Sequence, residues 1–113
     1  MVRGQVWLIN LEPTLGAEIK KTRPAVIVND DAVGILPLKV IVPITKWKER
    51  YSVALWMVRI EPTSENGVEQ ISVADAFQVR SISQSRFIRQ LGKLSEVLMQ
   101  EITKALSVVL AIE

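Results

Sequence analysis

The 113 residues include no cysteine and no histidine. The first absence excludes a disulfide scaffold, thiol catalysis and the common structural zinc sites. The second removes the usual general acid and base near neutral pH and the preferred ligand of catalytic zinc. Any chemistry must come from Glu, Asp, Arg, Lys, Ser, Thr or Tyr, and no metal or cofactor is expected. No apolar run approaches the roughly 18 to 20 residues that span a bilayer, and Met1-Val2-Arg3-Gly4 lacks the apolar stretch of a secretion signal. A cytoplasmic chain with no membrane contact is the expectation. With 49% apolar and 23% charged residues, the chain can bury a core and is not a disordered tail. Its length suits one domain, 1–113.

The net charge of +2 says little, but its distribution says more. Residues 20–59 carry eight basic side chains against three acidic ones, 60–79 carry four acidic and no basic ones, and 80–93 carry four basic and no acidic ones. If folding joins the basic blocks, they form a surface for a polyanion. The plainer alternative is a scattered, solvated surface.

The first two thirds read as short strands between turns. Residues 6–9, 25–28, 38–44, 53–60 and 68–73 are rich in Val, Ile and Trp, which suit a pleated surface. Val53-Ala54-Leu55-Trp56-Met57-Val58 shows no polar alternation, which predicts a strand within a barrel or beneath another element. Asn66-Gly67 is a hairpin signal. At the end, Leu98, Ile102, Ala105, Leu106, Val109 and Ile112 recur at three and four, predicting an amphipathic helix. Ser95 is placed to cap it, with Leu94 and Met99 at staple spacing. Strands followed by one helix predict a mainly β (α+β) fold, a small barrel or curled sheet with the helix across it.

Two positions join a hydrogen-bonding side chain to the end of an apolar strand. Arg23-Pro24 precedes Ala25-Val26-Ile27-Val28, and the proline biases Arg23 towards extended backbone. Val42-Pro43-Ile44-Thr45 ends the next strand, where Pro43 implies an edge or a bulge. Such strand mouths suit binding or catalytic groups. The plainer alternative is an ion pair of Arg23 with Glu18, and Thr45 capping a turn. Trp47, between Lys46 and Lys48, could stack on an unpaired base while the lysines meet phosphate, or close the barrel as a half-buried indole.

These residues resemble the MazF/PemK toxin family over nearly the whole chain. Arg3-Gly4-Gln5-Val6-Trp7 running into Glu12-Pro13-Thr14-Leu15-Gly16-Ala17-Glu18 is similar to the family's opening. Thr22-Arg23-Pro24-Ala25-Val26-Ile27-Val28-Asn29-Asp30, Val42-Pro43-Ile44-Thr45, and Gln78-Val79-Arg80-Ser81-Ile82 with Arg86-Phe87 follow in order at compatible spacing. The resemblance implies an SH3-like, strongly bent antiparallel sheet with a C-terminal helix, assembled as a homodimer. It also implies a metal-independent endoribonuclease that cleaves single-stranded RNA at short sequences, the toxin of a type II toxin-antitoxin pair. The antitoxin is expected to cover the RNA groove with an acidic, extended segment. The family's catalytic arginine and threonine fall on Arg23 and Thr45, and its acidic loop residue on Glu18, the leading candidate base. Lys20, Lys21, Lys46, Trp47, Lys48, Arg80 and Arg86 are the expected RNA-binding residues.

Two departures stand out. Ile19-Lys20-Lys21-Thr22 replaces a glycine-containing stretch, and Phe77 occupies a position that is frequently acidic in the family, with Asp75 nearby. Two other readings remain: a CcdB-like inhibitor of a protein target such as gyrase, and a non-catalytic SH3-like RNA-binding module. The first is disfavoured by the ending Leu110-Ala111-Ile112-Glu113, which lacks that family's terminal Trp-Gly-Ile.

Overall fold

The computed structural model of the chain describes residues 1–34 and 36–112. Seven strands, β1 (Gln5–Asn10), β2 (Thr22–Ile27), β3 (Leu38–Lys46), β4 (Met57–Ile60), β5 (Ser72–Asp75), β6 (Arg80–Ser83) and β7 (Phe87–Lys93), precede one helix, α1 (Glu96–Leu110). Every strand pairing is antiparallel, in the order β4-β5-β3-β2-β1-β7, with β6 also on β3. The long strand β3 organises the molecule. Its first half pairs with β6, from Leu38↔Ser83 to Ile41↔Arg80, and its last residues pair with β5, from Ile44↔Ala74 to Lys46↔Ser72. Pro43 falls in the gap between these partners, so the missing N–H interrupts neither ladder there. The sequence predicts an edge or a bulge at Pro43; instead it stands inside a strand flanked on both sides, tolerated because it falls between the β6 and β5 pairings.

Alternation along β1, β2 and β3 feeds two cores. Val6, Val26, Val42 and Ile44 face α1 and meet Met99, Ile102 and Ala105. Ile9, Ala25, Ile27 and Ile41 face the other way and close on Leu11 and Ile82. Both faces are buried, which is why Ala25-Val26-Ile27-Val28 carries no polar alternation. A 3-10 turn, Gln84–Arg86, takes the chain from β6 on one side to β7 beside β1 on the other, curling the sheet.

The predicted helix start is correct: Ser95 Oγ accepts the Leu98 N–H at 3.2 Å, while Leu94 and Met99 are both buried. The predicted strand 53–60 is only half right. Residues Glu49–Val53 form a 3-10 turn, Val53 and Leu55 are exposed, and β4 begins at Met57, where Val58 and Ile60 turn inward under α1 and Arg59 faces out. The expected strand 68–73 lies later, at Ser72–Asp75. Asn66-Gly67 makes no two-residue hairpin; it sits within a long loop joining β4 to β5. There the buried Asn66 carboxamide accepts the Thr63 and Val68 N–H groups and donates to the Glu61 carbonyl. Gly67, at φ 67°, presses on the Leu91 carbonyl, so the loop lies along β7.

Candidate active site at the parting of two strands

The β2–β3 ladder runs Ile27↔Ile41, Val26↔Val42, Ala25↔Pro43 and stops. Beyond it β2 keeps only β1 as a neighbour and β3 keeps only β5. Two residues on, where no pairing joins the strands, come Arg23 on β2 and Thr45 on β3. Side chains alternate along a strand, so each falls on the side of Ala25 or Pro43 in its own strand. The strands part here around a cleft of about 230 Å³, lined by Arg23, Thr45 and Lys46, with Leu8 and Pro24 from the opposite face. Arg23 is half-buried, and its Nε donates to the Lys20 carbonyl at 3.3 Å. Among the described residues the one ion pair is Arg59 with Glu61, so the alternative pairing of Arg23 with Glu18 does not form.

Glu18 lies in the loop between β1 and β2 and is exposed; its Oε1 accepts the Leu15 N–H at 2.6 Å. It lines a neighbouring groove of about 540 Å³ with Ile19, Pro43, Trp56 and Phe77. Pro43 belongs to the face carrying Arg23 and Thr45, so the groove and the cleft adjoin along β3. Lys20 and Lys21 are exposed on the same loop. Lys21 adopts φ 71°, the left-handed region that favours glycine, and donates its N–H to Glu12 Oε1 at 2.8 Å.

The other expected RNA contacts are more dispersed. Lys46 and Lys48 are exposed beyond Thr45. Trp47 is half-buried, with Arg59 lying 5.1 Å from its ring centroid and Tyr51 edge-on at 6.2 Å, so part of its surface is already engaged. Arg80 lines the groove beside Glu18 and donates to the Leu11 carbonyl at 3.3 Å, while Arg86 donates to the carbonyls of Asn10 and Glu12. Both brace the root of the loop that carries Glu18. Among the described residues no group of three acidic side chains gathers to hold a metal ion. No helix among them is long and apolar enough to cross a membrane.

The family model of PemK-like, MazF-like toxins of type II toxin-antitoxin systems matches residues 2–110. The chain belongs to this family. It is 30% identical over 112 residues to endoribonuclease MazF9 of Mycobacterium tuberculosis, covering 94% of this chain and 92% of that protein. To endoribonuclease PemK of Escherichia coli it is 32% identical over 112 residues, covering 97% and 82%. Its fold is similar to crystalline MazF from Deinococcus radiodurans, with TM-score 0.82 and 23% identity, covering 99% of this chain and 97% of that one. It is also similar to a mycobacterial endoribonuclease solved in complex with its cognate antitoxin, with TM-score 0.79 and 19% identity, covering 100% and 97%. The bent, mainly antiparallel sheet with one C-terminal helix is thus the family's fold.

Several further residues surround the site that were not expected there. Arg89 and Glu69 line the smaller cleft, and Trp56 and Phe77 meet edge-on, 6.0 Å apart, in the larger groove. Arg89 had its cationic block as a signal, whereas Glu69 had none. Asp75 is buried behind the groove, where burial pushes its carboxyl above the usual carboxylate range. Hydrogen bonds from the Phe77 N–H and the Gln78 side chain oppose that shift.

Proposed function

We propose that this toxin-family endoribonuclease cleaves single-stranded RNA without a metal, using the RNA's own 2′-hydroxyl as nucleophile. The observation that supports this reading is the open cleft at the parting of β2 from β3, which Arg23 and Thr45 both line. In a chain without histidine, the three tasks of transesterification divide among the groups at hand. The Arg23 guanidinium presents a fixed fork of donors to the non-bridging phosphate oxygens, and such electrostatic stabilisation is commonly the largest single catalytic term. Thr45 Oγ1 donates a further hydrogen bond to the same phosphate. Glu18 accepts the 2′-hydroxyl proton as the O2′–P bond forms. The P–O5′ bond then breaks, and the departing oxygen takes a proton from solvent, because a guanidinium gives up its proton poorly. The products carry a 2′,3′-cyclic phosphate and a 5′-hydroxyl. DNA lacks the nucleophile, so it binds and stays intact.

Lys20, Lys21, Lys46 and Lys48, exposed on either side of the cleft, hold the RNA backbone, and Trp47 flanks them. Arg80 and Arg86 contribute indirectly by bracing the loop. The active form is a homodimer, as the resemblance implies, and exposed Val53, Leu55 and Val108 offer apolar surface for such assembly. The partner is an antitoxin whose acidic, extended segment competes with RNA for the lysines. The solved complexes of a mycobacterial endoribonuclease and of Deinococcus MazE with MazF support this partner. RNA as substrate places the work in the cytoplasm.

The test is Arg23→Ala assayed on mixed-sequence RNA in EDTA. Folding should be unchanged and cleavage should drop by about 100- to 1,000-fold, the usual effect of losing one oxyanion donor. Cleavage at the parent rate would end the assignment. A 2′-deoxy substitution at the scissile nucleotide should abolish cutting and leave binding intact.

A further inference from the structure

Gln78, in the 3-10 turn Ala76–Gln78 after β5, spends its whole carboxamide on one task. Its Oε1 accepts the Ile19 N–H at 2.5 Å, while its Nε2 donates to the Ala17 carbonyl at 3.4 Å and to Asp75 Oδ2 at 3.3 Å. The two main-chain contacts fall on either side of Glu18, so one side chain brackets the residue from both directions. Among the described residues, these are the only hydrogen bonds joining 13–19 to the rest of the protein. The tip's other bonds, Leu15 N–H to Glu18 Oε1 and Glu18 N–H to the Leu15 carbonyl, are internal. The orientation of the amide is dictated rather than free. An ionised Asp75 can only accept, so Nε2 must face it, which leaves Oε1 for the Ile19 N–H. Asp75 is held in turn by the Phe77 N–H, which donates to its Oδ1 at 3.1 Å.

We infer that Gln78, oriented by Asp75, is the positioning residue that holds the Ala17–Ile19 backbone and so keeps the Glu18 carboxylate beside the groove. This inference rests on the reading of Glu18 as proton acceptor. The carboxylate sits on an exposed loop in a reaction where small displacements are costly. A misplacement of about 1 Å can lower a rate about 100-fold. The bracket replaces the strand pairing that the tip lacks, and it couples the tip to the β5–β6 turn, 59 residues away in the chain.

The test uses Gln78→Met, which keeps the length of the side chain and removes its hydrogen bonds. The kcat should fall by about 10- to 100-fold with KM held within about 3-fold. Exchange of the Ile19 amide hydrogen should accelerate by about 10-fold or more. In a Glu18→Gln background, the same change should lower single-turnover cleavage by less than about 2-fold, because the two residues act as one unit. The double exchange Asp75→Asn with Gln78→Glu retains an acceptor for the Ile19 N–H and reverses donor and acceptor between the two side chains. Because the new carboxylate cannot donate to the Ala17 carbonyl, it should recover only part of the kcat lost by either single change. Unaltered Ile19 exchange in Gln78→Met, or equal losses in both Glu18 backgrounds, would overturn the inference. A Glu18→Gln variant that cleaves like the parent would sink the proton-acceptor role instead, and Ile19 exchange alone would then decide for or against the bracket.

Discussion

Lys21 holds a backbone conformation that a side chain disfavours by about 1–2 kcal/mol, at φ 71°. Glycine takes that conformation without strain. Lys21→Gly should therefore leave stability unchanged or raise it slightly in urea unfolding. It should also lower the salt slope of RNA binding by about one, as expected for one lost phosphate contact. A marked loss of stability would contradict the backbone reading. Asp75 gives a second residue-scale test. Burial raises its carboxyl above the ordinary value, so the folded state binds that proton more tightly than the unfolded chain. Its contribution to stability is present at low pH and is lost as pH rises through the folded value. Compared with Asp75→Asn, the parent should gain stability as pH falls from neutrality through the carboxylate range. A constant difference across pH would show that burial exerts no such pull. The strand mouths that carry Arg23 and Thr45 were legible at this scale because a proline lies beside each. The part played by Gln78 was not, since its partners lie far away in sequence and only the fold brings them together.

At the scale of elements, β1, β2, β3 and α1 could be read because apolar residues or a cap define them. β6 and β7 escaped because Arg80, Arg86, Arg89 and Lys93 break up their patterns, although Ile82 and Leu91 still point inward. The segment from Val53 to Trp56 was misread for the opposite reason: an apolar run resembled a buried strand, yet two of its members face solvent. The loop between β4 and β5 depends on a close backbone approach that composition could not reveal. A Cβ at Gly67 would collide with the Leu91 carbonyl, and one at Gly92 with the carbonyl of Glu65. Gly67→Ala should cost about 2–4 kcal/mol, within the range of large single-site effects. It should also release the Lys93 N–H from the Glu65 carbonyl, a 2.8 Å bond. Thermal melting and exchange at Lys93 would check both outcomes. A neutral result would mean that the loop does not rest on β7.

The whole molecule sorts its charges more finely than the sequence suggested. Of the two basic blocks, the first supplies the lysines beside the cleft, while two arginines of the second are turned inward onto main-chain carbonyls. The salt dependence of binding should follow that division. Lys20→Ala and Lys48→Ala should each flatten the salt slope by about one and leave single-turnover cleavage nearly intact. Arg86→Ala should act chiefly through the order of the β1–β2 loop. Slopes unchanged in both lysine variants would argue against the proposed RNA path.

The parting of β2 from β3 has a consequence for how the toxin meets its substrate. Past Ala25 and Pro43 no main-chain rung joins the two strands. On the proposed mechanism, a phosphodiester gripped by Arg23 on one side and Thr45 on the other would fill that vacancy as a surrogate crosspiece. The nucleic acid would then complete the architecture that cuts it, and an uncleavable mimic should splint the protein at its seam.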